Sequence, residues 1–268
     1  LEWLIGANLG RSRELKNMGD IDTTDSRRTT PNPQHDKDAS LLGKVVLRPT
    51  ADQKHSFTLE HIDKKVDYNL YTARTAPPAT AATAVLDSAS TTDMKRTRGS
   101  WMGEWRNFDA PLFDDVKAML SYQKADSREF IYEDRLSAAD RTRDVTYGEK
   151  TWQANVQASK LINGASVAQK ITYGVDYIRT DVENLQTGIT PPVGETYPLK
   201  RFPDTAESSW ALYGQDEISV GNWTFTPGLR YDHFRIKADQ TGFNANAVSL
   251  TGNATSPKLG VMYAVNPQ

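Results

Sequence analysis

Few residues in this chain of 268 could support acid–base or metal chemistry. It contains four histidines, His35, His55, His61 and His233, and no cysteine. None of the histidines lies in an H-x-x-H or H-E-x-x-H pattern, the spacing that places two imidazoles on one side of a metal. The absence of cysteine excludes disulfides, thiolate metal sites and thiol nucleophiles. The sequence therefore predicts no metal-binding residues.

Two pairs of neighbouring acidic residues, Asp114-Asp115 and Asp216-Glu217, are the other candidates for catalysis. Neighbours on a β-strand point to opposite faces, so neither pair can form a catalytic dyad on a strand. Asp114-Asp115 lies in a short polar stretch that is typical of a turn. The G-x-S-x-G, P-loop and Rossmann patterns are absent. We therefore predict no catalytic residues and no enzymatic activity.

The segments that must position these residues alternate between apolar and polar side chains. In "TWQANVQAS", the residues Trp152, Ala154, Val156 and Ala158 alternate with polar ones. The segments "KITYGVDYIR", "VKAMLSY" and "SFTLE" alternate in the same way. Period-two alternation with a polar second face predicts β-strands that are buried on one side.

Ten strands are predicted from this pattern, and their connections alternate between short and long. The predicted strands cover residues 1–15, 40–49, 54–73, 96–108, 116–134, 142–161, 167–186, 209–220, 223–238 and 256–265. The turns "TADQ", "DAPLFD", "NGAS" and "VGN" are short, whereas the connections between them are long and rich in Thr, Pro, Gly, Asn or Asp; "SAAD" is the exception.

Several of these strands approach about 20 residues, whereas strands of globular proteins usually have about 3–10. No run of about 18 apolar residues exists, which argues against a transmembrane helix. Long alternating strands, with short turns at one end and long loops at the other, are typical of an outer-membrane barrel. We predict an all-β fold, a sector of a transmembrane antiparallel up-and-down β-barrel with short periplasmic turns and long extracellular loops. A soluble β-sandwich is the alternative, and it explains neither the strand lengths nor the one-sided loops.

The segment "WTFTPGLRYDHFRIKA" predicts where one strand leaves the membrane. From Trp223 to His233 the odd positions are mostly apolar, and afterwards Arg235 and Lys237 occupy them. A tilted membrane strand needs about 9–11 residues. We therefore assign Trp223, Tyr231 and His233 to aromatic girdles at the two membrane surfaces. Because proline lacks the ladder donor, we expect a bulge at Pro227-Gly228.

Residues 173–231 resemble consecutive barrel segments of TonB-dependent outer-membrane receptors, most closely the haem and haemoglobin receptor branch. The resemblance rests on Tyr-Gly-Val-Asp at 173–176, Tyr-Pro and Phe-Pro at 197–198 and 202–203, Gln-Asp-Glu at 215–217 and Pro-Gly-Leu-Arg-Tyr-Asp at 227–232. The paired aromatic-proline loop favours the haem branch. The other three motifs are shared by many TonB-dependent receptors.

The resemblance implies that residues 1–268 are part of a receptor barrel of about 22 strands. The plug domain and the C-terminal strands would lie outside this chain. It implies a receptor in the outer membrane of a Gram-negative bacterium that imports haem, from haemoglobin as one source, energised by TonB acting on the plug. A ferric-siderophore receptor is the alternative, and a plug-less porin or adhesin barrel is a weaker one. Haem would be a transported ligand, with no covalent cofactor. Lipid, lipopolysaccharide and an iron chelate are the other expected partners, and the net charge of −2 argues against nucleic acid.

The resemblance implies that the residues in contact with the ligand lie in loops. A haem ligand is expected outside this chain, and His35, predicted to lie in a long loop, is the weak candidate within it. Ligand or lipopolysaccharide contact is expected at Tyr197, Lys200, Arg201 and Phe202. Basic clusters at Arg27-Arg28, Lys95-Arg96-Arg98 and Arg141-Arg143 are either further such contacts or solvated charges at loop ends.

Overall fold

The computed structural model describes residues 1–265 as one ten-stranded antiparallel sheet. The strands are β1 (Glu2–Arg13), β2 (Gln34–Leu47), β3 (Gln53–Asn69), β4 (Val85–Trp105), β5 (Asp115–Arg135), β6 (Arg141–Asn163), β7 (Ala168–Ile189), β8 (Thr205–Val220), β9 (Trp223–Ala238) and β10 (Leu250–Tyr263). Each strand pairs with its neighbour in sequence, so the order in the sheet is β1 to β10 without crossover. The all-β, up-and-down prediction is confirmed.

The helix content is a single 3-10 turn at Tyr71–Ala73 within residues 1–265. No helix in this described part of the chain combines the length and the apolar character that crossing a bilayer requires.

The two faces of the sheet differ in chemistry. Residues directly opposed across an antiparallel ladder share a face, and the pairing places Phe57, Trp101 and Leu120 beside one another. We call this the outer face. Its central band is apolar on all ten strands, from Trp3 and Ile5 on β1 to Leu259 and Val261 on β10. Many of these side chains are exposed, for example Leu212 at 53% and Leu259 at 72%.

The opposite, inner face carries hydroxyl, amide and charged side chains. Ser121, Gln153 and Asn155 lie on it, and Asp176 is directly opposite Asn155. A sheet with an exposed apolar band on one face and a polar opposite face matches a barrel wall between lipid and an aqueous or protein-filled lumen.

Four strands begin four or more residues earlier than the sequence predicted. The structure starts β2 at Gln34, β4 at Val85, β8 at Thr205 and β10 at Leu250. The stretch "PPATAATAVLDSASTTD", which the sequence predicts as a long loop, therefore contributes its second half to strand β4. Ser88 is 1% exposed and donates a hydrogen bond from Oγ to the Tyr132 carbonyl at 3.1 Å.

The prediction of a bulge at Pro227-Gly228 is wrong. The β8–β9 ladder pairs Gln215 with Gly228 and Ile218 with Phe225 in one unbroken register, with no extra residue between them. The two residue pairs that would lie between them are absent from the ladder, which leaves a gap in the strand pairing beside Pro227. On its other side Pro227 still pairs with Leu259. A missing proline donor thus removes ladder bonds on one side without requiring an inserted residue.

Candidate functional site: the polar inner wall and its loop

A network of charged and amide side chains crosses β6, β7 and β9 on the inner face. Arg230 Nη1 donates to Asp176 Oδ2 at 2.7 Å, and Arg230 Nε donates to Asp232 Oδ1 at 2.9 Å. Asn155 Nδ2 donates to the other Asp176 oxygen. One guanidinium therefore neutralises two carboxylates that would otherwise repel one another on the wall.

Tyr213 on β8 completes this network. Its hydroxyl donates to Gln157 Oε1 at 3.2 Å, and its ring lies under the Arg230 guanidinium, 5.7 Å from ring centre to Cζ. A cation over an aromatic face is attracted by the ring's negative quadrupole. The five side chains of Asn155, Asp176, Tyr213, Arg230 and Asp232 thus form one connected polar patch, which we call the wall network.

The wall network joins residues that the sequence motifs named separately. Asp176 closes the Tyr-Gly-Val-Asp motif, and Arg230 and Asp232 belong to Pro-Gly-Leu-Arg-Tyr-Asp. Sequence reasoning did not bring them together because the register between β7 and β9, which runs through β8, is not readable from either motif. Tyr213 was missed, although its position two residues before Gln215 on the polar parity was an available signal.

The connection between β7 and β8 folds against the upper part of β7. Gln186 and Leu199 exchange two backbone hydrogen bonds of 2.8 Å, which form an isolated bridge. The side chain of Asn184 accepts from the Arg201 backbone N–H at 2.9 Å and donates to the Phe202 carbonyl at 2.7 Å. Asn184 and Gln186 are buried, 8% and 3% exposed, and belong to the inner-face parity of β7. The loop is therefore held to the inner face of the sheet.

The four loop residues predicted to contact a ligand or lipopolysaccharide all have partners within the chain. The Tyr197 hydroxyl accepts from Gln186 Nε2 at 3.0 Å, and the Phe202 ring lies 6.3 Å from the Tyr147 ring. Lys200 Nζ donates to Asp204 Oδ2 at 2.6 Å and to the Thr241 carbonyl at 3.0 Å. Arg201 binds Gln186 Oε1 and Glu195, yet about half of its side chain stays exposed. Contact of these residues with a ligand stays a prediction.

The first of the other basic clusters, Arg27-Arg28, lies in the loop between β1 and β2. Arg27 binds Asp25 with Nε and Nη2 at 3.0 and 2.6 Å, and this hydrogen bonding lowers the pKa of Asp25 to about 2. A depressed carboxyl pKa stabilises the fold above the unfolded value, near 3.8, and this stabilisation is lost as the pH falls towards about 2. Near neutral pH the ion pair is intact.

The clusters on β4 and β6 divide between the faces. Lys95 lies on the outer face and pairs with Asp63, at 3.6 Å between Nζ and Oδ2. Arg98 lies on the inner face opposite Glu60, and Arg143, also on the inner face, pairs with Glu129. The Nε atoms of Arg96 and Arg143 are buried without a hydrogen-bond partner in the described chain. Most of these cations therefore face the lumen, which the cluster pattern alone did not indicate.

All four histidines lie on the outer face. His35 is on strand β2, opposite Arg13 and Asp67, so its predicted placement in a loop is wrong. The strand extends to residue 34 because β1 and β3 both continue to this level and supply backbone partners. His55 packs against Trp105, at 5.3 Å between ring centres. His61 Nδ1 lies 2.9 Å from Thr97 Oγ1. No imidazole of this chain therefore points into the lumen.

The residues assigned to girdles occupy the two borders of the apolar band. Trp223 packs against Tyr263 at the short-turn end, with 4.7 Å between ring centres. Tyr231 and His233 pack against Trp210 at the other border, at 5.5 and 5.6 Å. Beyond His233, Arg235 and Lys237 continue on the outer face, as the sequence predicted. The membrane role of these three residues stays a prediction.

The acidic pairs give no catalytic arrangement. Asp114 caps a turn, where the Lys160 ammonium at 2.6 Å from its Oδ1 lowers its pKa. Asp216 is on the outer face beside the Pro227 gap, and its Oδ1 atom is buried without a partner in the described chain. Residues 1–265 contain no group of three or more His, Cys, Asp or Glu side chains that could hold a metal.

These features define a class of protein, since the ten strands form part of the wall of an antiparallel up-and-down β-barrel, with an apolar band on the outer face and a polar inner face. A family model for the TonB dependent receptor-like β-barrel matches residues 25–268. The chain belongs to this family, which is one of transporters and receptors, not of enzymes.

Solved structures share the fold at low sequence identity. The ferric citrate transporter FecA in its unliganded form matches with a TM-score of 0.56 and 17% identity, over 88% of this chain and 34% of that one. The copper transporter OprC matches with a TM-score of 0.60 and 14% identity, over 98% and 38%. The siderophore receptor PiuA from Acinetobacter baumannii matches with a TM-score of 0.59 and 10% identity, over 98% and 43%. The chain thus spans between 34% and 43% of these proteins.

Proposed function

We propose that this chain is the barrel wall of an outer-membrane receptor that actively imports a metal chelate, energised through TonB. The observation that carries the proposal is the polar inner face of the sheet, which carries the wall network and several inward-facing arginines. Such a wall is suited to a lumen filled by another domain, because the charges of the wall network are already paired and its amides can still hydrogen-bond. That domain would be a plug outside this chain, and TonB would act on it. The outer membrane of a Gram-negative bacterium is the corresponding location.

A ferric siderophore or related ferric chelate is the cargo that we favour. FecA is described as a ferric citrate transporter and PiuA as a siderophore receptor, and both support this class of cargo. All four histidines face outward, so this chain offers no imidazole to a haem iron from the lumen. Haem, with haemoglobin as one source, is the second candidate. Its support is the loop that holds Tyr197 and Phe202 over the inner face, because the aromatic-proline pairs of this loop resemble those of haem receptors.

The complete receptor, purified in detergent, tests the cargo. Titrated with ferric citrate, a ferric catecholate and a ferric hydroxamate, its tryptophan fluorescence should be quenched by one of them at about micromolar concentration or below. Haemin should give no shift of its Soret band. A Soret shift without quenching by any ferric chelate would contradict the siderophore assignment and support haem. Uptake of the radiolabelled chelate should be lost in cells without TonB. Unchanged uptake there would indicate a passive porin.

A substitution of Arg201 tests the cargo site at a single residue. Ferric chelates and haem carry carboxylate or other anionic groups, which a half-exposed guanidinium on the inner face can bind. Arg201→Ala should weaken cargo binding about tenfold, because a hydrogen bond to a charged group contributes about 1.5–3 kcal/mol. Arg235→Ala, on the outer face, is the matched control and should leave binding unchanged. Equal affinities for both variants would remove Arg201 from the binding site.

A further inference from the structure

Two hollows lie one above the other on the outer face of the sheet, the lower one across β1 to β6 and the upper one on β1 to β3. The lower hollow is apolar, about 880 Å³, and its walls include Ile5, Leu59, Trp101 and Tyr122. Gly43 and Gly99 form its floor, and a methyl group added at either would meet no atom within 4 Å. The depression therefore exists because two outward positions on β2 and β4, one on each side of Leu59 in β3, have no side chain.

The upper hollow, about 620 Å³, is cationic. It is lined by three cations, Arg11, Lys37 and Lys65, and by Leu9, Gly10, Asp38, Ala39 and Asp63. On the outer face of β1 and β2, Leu9 and Ala39 are the last apolar residues, and Arg11 and Lys37 are the first charges beyond them. The cations thus begin where the apolar band ends.

The three cations are directly opposed across the ladder. Arg11 pairs with Lys37, and Lys37 pairs with Lys65. Like charges directly opposite one another destabilise a sheet. Within residues 1–265, Arg11 and Lys37 have no ion-pair partner, while Lys65 lies 3.6 Å from Asp67. The nearby Asp63 is engaged with Lys95 at 3.6 Å. The next residue of this row is Asp93 on β4, directly opposite Lys65. The positive charge that remains on the row is therefore that of Arg11 and Lys37, and an anion bound there would relieve their repulsion.

We infer that the two hollows together bind one lipopolysaccharide molecule of the outer leaflet. Its acyl chains would lie in the glycine-floored hollow, and a phosphate of its lipid A would bind Arg11, Lys37 and Lys65. Arginine and lysine provide charge-assisted hydrogen bonds to phosphate oxygens. The cations lie at the long-loop end of the strands, which is the cell exterior in the orientation proposed above, where lipopolysaccharide forms the leaflet. The inference rests on that orientation and not on the identity of the cargo.

Native mass spectrometry of the complete receptor, delipidated in detergent, tests this site with two probes. These are hexa-acylated bisphosphorylated lipid A and a phosphatidylethanolamine of similar chain length. Lys37→Glu combined with Lys65→Glu should weaken lipid A binding at least tenfold. Gly43→Leu combined with Gly99→Leu should weaken it comparably, because leucines would occupy the space of the acyl chains. Binding of phosphatidylethanolamine, which lacks net negative charge, should be weak throughout.

Matched controls keep the result interpretable. Arg235→Glu combined with Lys237→Glu reverses two charges on the outer face of β9, and Gly214→Leu adds one leucine on the outer face of β8. Both lie away from the hollows and should leave lipid A binding unchanged. Every variant should keep the heat-modifiable migration of a folded barrel and its cargo affinity. A failed cargo proposal would leave these results intact. Equal lipid A affinity of site and control variants would overturn the inference. Equal binding of both lipids by the unmodified receptor would assign the hollow to glycerophospholipid instead.

Discussion

Replacing Val156 by arginine should lower the free energy of unfolding of the complete receptor by about 2–4 kcal/mol, the cost of an arginine near the middle of the lipid-facing band. Val156 lies on the outer face between Ala154 and Ala158, and its side chain is 45% exposed. In lipid this exposure means contact with acyl chains, where a guanidinium finds no water. Urea unfolding of the receptor in lipid vesicles measures the effect.

Gln153→Arg is the matched control on the same strand. Gln153 has the opposite parity, on the inner face, where its Oε1 accepts from Ser121 Oγ at 3.3 Å. A polar replacement on this wall should change the free energy of unfolding by less than about 1 kcal/mol. The difference between the two variants isolates the lipid from any general effect of an added arginine. Similar losses for both would argue that the outer face is not in lipid.

The second large effect is expected at Arg230. Arg230→Met leaves Asp176 and Asp232 without the cation that neutralises them. Loss of one partner of a fully buried pair costs about 3–5 kcal/mol. These side chains are 31–41% exposed, so solvent screening reduces the expected loss to about 1–2 kcal/mol. Unfolding in lipid vesicles reports this loss.

A double-mutant cycle separates the wall network from simple packing. Asp176→Asn removes one of the two stranded charges, so combined with Arg230→Met it should recover part of the loss. The coupling energy between the two positions should be about 0.5 kcal/mol or more. Strictly additive losses would show that the contact between β7 and β9 contributes nothing, and that Arg230 acts through its alkyl chain alone.

The sequence predicted those parts of the fold where lipid imposes a pattern. The β9 segment from Trp223 to His233 alternates because one face must be apolar, and the predicted strand at 223–238 has the bounds of β9 in the structure. Where strands continue beyond the apolar band, both faces are polar and the alternation disappears. The first residues of β4 therefore read as a low-complexity loop, although long neighbouring strands supply their backbone partners.

The site was less predictable because it depends on register. The motif residues Asp176 and Arg230 are 54 positions apart, and only the pairing through β8 brings them within 2.7 Å. The same holds for the row of Arg11, Lys37 and Lys65, which lie in three separate segments of the sequence. Conversely, the cluster Lys95-Arg96-Arg98 is contiguous in sequence and divides between two faces.

Accessibility of spin labels along β9 in lipid vesicles tests the membrane-barrel account most directly. The 268 residues contain no cysteine, so single cysteines at successive positions from 223 to 238 label this strand one site at a time. Labels at odd positions up to 231 should collide mainly with oxygen, which dissolves in lipid, while those at 235 and 237 should collide with a water-soluble nickel chelate. A nickel-accessible profile at odd positions throughout the strand would contradict the account, since it would place the outer face in water.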